Sequence, residues 1–400
     1  MLDRLRSSTG FLSLLLVGFL GRLGYEMVRS PVSALYARHL GAPIALIGLI
    51  VASATISGIF VKLPSGALAD VFGFKRLIVT GSIVKATGPF LYLPVRAWQV
   101  LIPVRLFHGL ATAIYAPAAA ALVATLYPQR RAQRLGIYSA AENAGIVLGP
   151  FLGGLILYYW SFNVAFLVAG AIGILALLVS FTVPSPPPRL MSDDVAAPLL
   201  RRLRQGIFEI LKSPCILVTS VVEASMFLGF GTLQAYLPLY GVGIHLNTAQ
   251  IGLLFGVQGV TSIVGRPTMG TVSDRLGRRP LIVAGVLLDA VVVILIPRTT
   301  QLGVLLGLSA LFGLGTGAVT PSTTAFIADL VKARQYGSAM GVFGSIWDIG
   351  HASGPILSGI LIAAFGYQVA FLIVGALMGG AVALFLTMTA RMQPPVSGAV

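Results

Sequence analysis

The sequence predicts an all-α membrane protein, with twelve transmembrane helices in two pseudo-symmetric six-helix bundles around a central cavity. Three observations carry that prediction: a composition too apolar for water, apolar runs of membrane-spanning length, and an internal repeat. Of 400 residues, 56% are hydrophobic and only 10% charged; roughly a quarter would be charged in a soluble chain. Such a chain cannot bury its apolar side chains in one core and keep a wettable surface, so lipid is the solvent for much of it. At about 20 to 25 residues per crossing, a dozen crossings take roughly 250 to 300 residues and leave room only for short loops.

Apolar runs bounded by charge or by Pro and Gly fall at about 9–37, 43–69, 76–94, 97–127, 135–159 and 162–184 in the first half. The second half has runs at 213–241, 247–270, 280–297, 300–331, 336–365 and 367–390. An even number puts both termini on one side. Basic loops are retained in the cytoplasm, and 18 of the 27 Lys and Arg residues lie on the side of the termini, against Arg38, Arg96 and Arg298 on the other. Both termini are therefore expected in the cytoplasm, with a multi-pass chain in the cell (inner) membrane and its basic loops against anionic headgroups.

The 27 basic and 12 acidic residues give a net charge of +15. Basic residues come in bursts between apolar runs, whereas a groove binder strings them along one face with aromatics between, so no nucleic-acid partner is expected. Cys215 is the single cysteine and His39, His108, His245 and His351 are scattered. That excludes an internal disulfide and leaves no metal-ligand spacing. With no Ser-His-Asp, HExxH or P-loop pattern either, neither an enzyme nor a cofactor site is expected.

A shift of 204 residues superposes Ile47-Gly48-Leu49 on Ile251-Gly252-Leu253, Lys62 on Arg266, Asp70 on Asp274, Gly73 on Gly277, Gly109 on Gly313 and Pro117 on Pro321. A shift of 205 superposes Gly136 on Gly341, Gly145 on Gly350 and Gly149-Pro150 on Gly354-Pro355. The expected organisation is thus a bundle over 1–184, a cytoplasmic linker over 185–212 and a second bundle over 213–400. In the linker, Leu199, Leu200, Leu203, Ile207, Ile210 and Leu211 recur at helical spacing, as in a helix lying at the inner interface. Two similar halves in the same orientation place a polar pocket at their interface, which rocking opens to alternate sides.

Three motifs stand out. Between the second and third segments lies Gly66-Ala-Leu-Ala-Asp70-Val-Phe-Gly73-Phe-Lys75-Arg76, echoed by Gly270-Thr-Val-Ser-Asp274-Arg275-Leu-Gly277-Arg278-Arg279. Its glycines permit a tight corner, and its charges can pair with each other or with lipid phosphate. The fourth segment carries Arg105-Leu-Phe-His108-Gly109, an arginine at membrane depth that must meet a carboxylate, carbonyls or water. The fifth reads Gly145-Ile-Val-Leu-Gly149-Pro150-Phe-Leu-Gly153-Gly154, a small-residue stripe for close helix approach with a kinking proline.

These motifs resemble those of the major facilitator superfamily. The paired loops are similar to its Gly-x-Leu-x-Asp-Arg-x-Gly-Arg-Lys signature, although the first copy has Val71 and Phe74 where Arg is favoured. Arg105 to Gly109 is close to Arg-x-x-Gln-Gly, and the fifth segment matches the signature of the drug:proton antiporter branch at every fixed position. The resemblance implies that the loops latch the halves in an outward-facing state and that the chain exports small lipophilic molecules, as a monomer, against an inward flow of protons.

Ionisable residues at membrane depth are the candidates for coupling and binding. Arg22, Glu26 and Arg29 share one face of the first segment. With Arg105 brought nearby, Glu26 becomes a carboxylate whose proton affinity changes as an arginine moves. Glu26, Glu142 and Arg105 are therefore the expected proton-coupling residues. Arg22, Glu26, Arg29, Arg105, His108, Asn143, Glu223 and Asp348 are expected to line the substrate cavity. Lys85 and Asp289 occupy equivalent positions and, on segments peripheral in the family, suit a structural or lipid-side role. The alternative is an organic-anion importer or exchanger built on Arg22, Arg29 and Arg105. Tyr25, Tyr36, Phe107, Tyr115, Phe227, Phe230, Tyr236 and Trp347 are aromatics available to line an apolar pocket, although their helical spacing fits lipid-facing or packing positions better.

Overall fold

The computed structural model describes residues 2–185, 213–331 and 336–390, with the side chains of 2–9, 63–71 and 336–338 outside that description. The described residues are helical and contain no strand. In chain order the helices are α1 (Leu2–Met27), α2 (Ser33–His39), α3 (Ile44–Phe72), α4 (Phe74–Thr87), α5 (Leu101–Leu126), α6 (Arg131–Tyr159), α7 (Phe162–Ser180), α8 (Pro214–Gly243), α9 (Thr248–Leu276), α10 (Arg278–Leu295), α11 (Leu302–Leu330) and α12 (Tyr336–Thr389). The interfacial helix expected in the 185–212 linker lies outside the described residues.

Ten spans among the described residues are long and apolar enough to cross a membrane. They hold the predicted segments with two differences. The last span, Ala339–Thr389, covers two predicted segments, and Gly366 breaks it with φ at 80° and ψ at 173°, a conformation open to glycine alone. The predicted third segment is α4 plus a tighter turn over Gly88–Tyr92, so its regular part is short and carries Lys75, Arg76 and Lys85. The first span is broken as well. Pro31 removes a backbone donor and pushes the residue before it out of the helical region, and Ser30 is extended at φ −150°, ψ 136°. α2 then continues the crossing.

The chain divides into two compact units, residues 1–191 with 234–256 and residues 192–233 with 257–400. In the first, α1 packs on α6 and α7, α3 on α5, and α4 on α5 and α7. Lipid tails are as apolar as leucine, so these contacts rest on close packing rather than on expulsion from water. Glycines set the approach. A Cβ on Gly145 would lie 2.7 Å from Phe19 O, one on Gly149 2.7 Å from Glu26 Cβ, and one on Gly153 2.6 Å from Met27 O, so the α6 stripe is bare because α1 lies against it. Gly154 faces away, toward Thr248 and Gly252. On α5, Gly109 fits against Ala54 and Ser57 of α3.

The second unit repeats these contacts. Gly313 of α11 fits against Gln258 and Thr261 of α9, which is the Gly109 contact moved by 204 residues. Gly350 and Gly354 of α12 lie against Ala224 and Leu228 of α8, as Gly145 and Gly149 lie against α1. Gly73 (φ 86°) and Gly277 (φ 94°) begin α4 and α10 at matching corners. The repeat is therefore one of tertiary packing.

Filling the stripe must push α1 off α6, whereas Gly136 on the same helix faces open space. Gly149→Leu is expected to cost about 1–3 kcal/mol through overpacking, seen as a lower melting midpoint of the purified protein in detergent. Gly136→Ala should leave that midpoint unchanged or slightly raised; an equal loss in both variants would contradict the packing.

Candidate functional site

Glu26 sits on α1 one turn before the Ser30 break and is 4% exposed. Its Oε1 is 3.6 Å from Arg22 Nη1 and 3.4 Å from Arg29 Nη1, so one carboxylate is held between two guanidinium groups on the same helix face. Arg29 also reaches Thr55 of α3 and lies over the Tyr25 ring. Beyond the break, the Ser33 hydroxyl donates to Arg29 O at 2.7 Å and satisfies a carbonyl left without its helical partner. The Glu26 stem rests on Gly149. Helical spacing brings the three charges together, and the glycine stripe of α6 gives the carboxylate its place in the interior. The group as a whole keeps an excess of one positive charge, with Arg22 and Arg29 only partly buried.

Arg105 on α5 is 1% exposed. Its Nε donates to Ile50 O at 3.3 Å and its Nη2 to Val51 O at 2.8 Å, both on α3. Of the partners open to an intramembrane arginine it has met backbone carbonyls, and the expected approach to Glu26 is not made in this conformation. His108, one turn on, is fully buried with its edge on the Tyr25 ring, centroids 4.8 Å apart, and with Nδ1 3.3 Å from the Tyr92 hydroxyl. It links the Tyr25 side of the Glu26 cluster to the core of the unit.

Glu142 and Asn143 on α6 are half-buried. A Cβ on Gly18 would meet Tyr138 Cε2 at 3.0 Å and Glu142 Cγ at 3.3 Å, so both side chains press on bare α1 backbone. The Tyr138 hydroxyl donates to that of Tyr115 at 3.2 Å, and Lys85 Nζ stands 3.4 Å over the Tyr115 ring and against Gly21. Lys85 is 3% exposed and Asp289 is fully buried, which rules out the lipid-side alternative of the structural or lipid-side role expected for the pair. Bare glycine backbone beside each, at Gly21 and Gly315, makes room for an ionisable tip inside the bundle. Tyr138 is not among the sequence candidates, Tyr115 reads from its spacing as a packing or lipid-facing aromatic, and Lys85 is expected only in a structural or lipid-side role. The available signal was Tyr138 standing one helical turn before Glu142.

In the second unit Glu223 on α8 is fully buried, and the Thr323 hydroxyl of α11 lies 2.8 Å from its Oε2. Asp348 on α12 is buried beside an aromatic group. There Phe227 meets Trp347 edge-on at 4.5 Å, and His351 meets Phe230 at 5.4 Å and Phe227 at 5.8 Å. The expected cavity residues thus fall into two sets, Arg22, Glu26, Arg29, Arg105, His108 and Asn143 in the first unit, Glu223 and Asp348 in the second.

At the second loop motif, Arg278 pairs with Asp274 and, at 3.5 Å through Nε, with Asp329 of α11. Arg279 lies over the Phe326 ring, Arg275 is exposed, and Gly270 and Gly277 leave the corner open. In the first motif Lys75 donates to Phe181 O at 2.7 Å and Arg76 is exposed, while the surroundings of Gly66 and Asp70 lie outside the described side chains. Both described corners brace helices within their own unit.

The sequence profile of the Major Facilitator Superfamily matches residues 14–249 and 226–399. An uncharacterized MFS-type transporter of Methanocaldococcus jannaschii is 26% identical over 364 residues, covering 88% of this chain and 89% of its own. The quinolone resistance protein NorA of Staphylococcus aureus is 25% identical over 375 residues, covering 92% and 94%. Among solved structures, the nucleoside transporter NupG superposes with a TM-score of 0.81 at 15% identity, covering 94% of this chain and 99% of its own. A bacterial homologue of the lysosomal transporter Spinster superposes at 0.77 and 16% identity, covering 96% of each. The profile spans nearly the whole chain and the superpositions give the same fold, so this multi-pass membrane protein belongs to the Major Facilitator Superfamily and is a transporter of small molecules, not an enzyme.

Proposed function

We propose that the protein is a proton-coupled antiporter that exports small lipophilic, drug-like molecules from the cell by alternating access, with both termini cytoplasmic. The observation that carries this reading is the buried Glu26 held between Arg22 and Arg29 at the break in the first crossing. A carboxylate there binds or loses a proton according to how closely the two cations approach, and the extended backbone at Ser30 lets the α1 and α2 parts move separately. Glu142 of α6, half-buried against α1 at Gly18, is the second candidate. Similarity to NorA, a quinolone resistance protein, supports drug-like substrates and outward transport. The aromatic group of Phe227, Phe230, Trp347 and His351 offers ring faces that suit flat, apolar ligands.

One titrating carboxylate is energetically sufficient. A proton entering down ~100 mV gains about 2.3 kcal/mol, and one pH unit adds about 1.4 kcal/mol. Together these sustain a substrate gradient of a few hundredfold, since each 1.4 kcal/mol is about tenfold. The organic-anion alternative has less support, because Glu26 engages Arg22 and Arg29 while backbone carbonyls engage Arg105.

In liposomes with an imposed pH gradient, Glu26→Gln is expected to abolish gradient-driven movement of a cationic dye and Glu142→Gln to reduce it severalfold. Retention of full pH-driven transport by both variants would refute the assignment. Arg29→Gln leaves Glu26 with one cation and is expected to slow pH-driven transport severalfold; an unchanged rate would show that Arg29 does not govern the carboxylate. In an efflux-deficient host, the wild-type chain should raise resistance to lipophilic toxic compounds, whereas preferential transport of anionic dyes would favour the alternative.

A further inference from the structure

Asp289 of α10 is fully buried, and neither carboxylate oxygen has a hydrogen-bond partner. Its tip lies against Gly315 of α11, where any side chain would collide with Oδ1. The same position in the first unit, 204 residues earlier, is Lys85, whose amine rests on the Tyr115 ring. The counterpart of Tyr115 is Val319, which is apolar, so Asp289 lacks the partner its repeat mate has. Among the described residues, the elements packed on α10 supply no cation beside it. From α8 comes Glu223, of the same sign, whose field reaches Asp289 and which is itself acted on by Arg266 of α9. On α11 the ionisable residue is Asp329, at the exposed end and paired with Arg278. The part of α12 beyond Gly366 carries only Tyr367, while Asp348 and His351 stand before that break beside the α8 aromatics.

An ionised carboxylate so placed would be a bare charge in an apolar bundle, opposed by a second acid. We propose that Asp289 is a proton-binding site of the second unit, protonated in this conformation and releasing its proton to water when α10 and α11 part at Gly315. The step is the simple dissociation of a carboxylic acid into carboxylate and proton, and no other reactant is needed. A permanently neutral side chain at this position would need no carboxyl group, and leucine would fill it without polar atoms. The inference adds a second proton carrier to the transport reading of Glu26, but its test does not depend on that reading.

The test is infrared spectroscopy on the full-length protein in lipid, with isotopically labelled aspartate, across a pH series. A protonated-aspartate carbonyl band is expected at neutral pH, fading on alkalinisation, lost in Asp289→Asn and retained in Asp348→Asn and Glu26→Gln. Absence of the band at neutral pH, or its survival in Asp289→Asn, would overturn the proposal. So would a band that ignores pH until the protein unfolds, because no proton would then be exchanged. Should Asp289→Asn not fold, the pH response of the wild-type band decides alone. Survival of pH-driven transport in both Glu26→Gln and Glu142→Gln, with the Asp289 band behaving as expected, would overturn the coupling assignment and leave this site standing.

Discussion

A charge inside a membrane bundle persists only where the surrounding helices leave room for its compensation, and in this protein glycine makes that room. Glu26 keeps its two arginines because α6 presents Gly149 instead of a side chain, and Lys85 lies against Gly21. Asp289 occupies the notch at Gly315. Close packing and buried charge, usually competing demands in a bundle, are met by the same residues. The α6 stripe therefore holds the first unit together and also positions the Glu26 carboxylate between its two arginines.

The two units share a packing scheme but carry different charges within it. Contacts such as Gly109 on α3 and Gly313 on α9 recur almost residue for residue, whereas the first unit's interior is rich in arginine and lysine and the second's in acids, of which Asp289 has neither oxygen hydrogen-bonded. Duplication supplies the scaffold, and divergence of a few interior side chains gives one half a carboxylate held by two arginines and the other half the buried Asp289. This division fits a transporter in which the halves hold protons by different means.

Much of this was legible in the sequence, for identifiable reasons. Membrane spans follow from apolar length, and the repeat follows from glycines, prolines and charged residues that tolerate little replacement. The Arg22-Glu26-Arg29 group was readable because its members lie on one helix, where spacing alone determines which faces coincide. Contacts between helices were not readable. Arg105 bonding to the carbonyls of Ile50 and Val51, the burial of Lys85 and Asp289, and the joining of Tyr138 to Tyr115 depend on side-chain direction across an interface that no single segment encodes. The break at Ser30 was equally hidden, since the apolar run over 9–37 reads as one crossing and does not show that the backbone leaves the helical region before Pro31.

The most direct measurement of the central claim, that protein-buried carboxylates exchange protons for substrate, is the proton movement driven by substrate itself. Vesicles holding the purified protein and a pH-sensitive dye, given a lipophilic cation gradient and no imposed pH difference, should show protons moving opposite to the substrate. Substrate crossing with no proton movement, or with protons travelling in the same direction, would contradict the account.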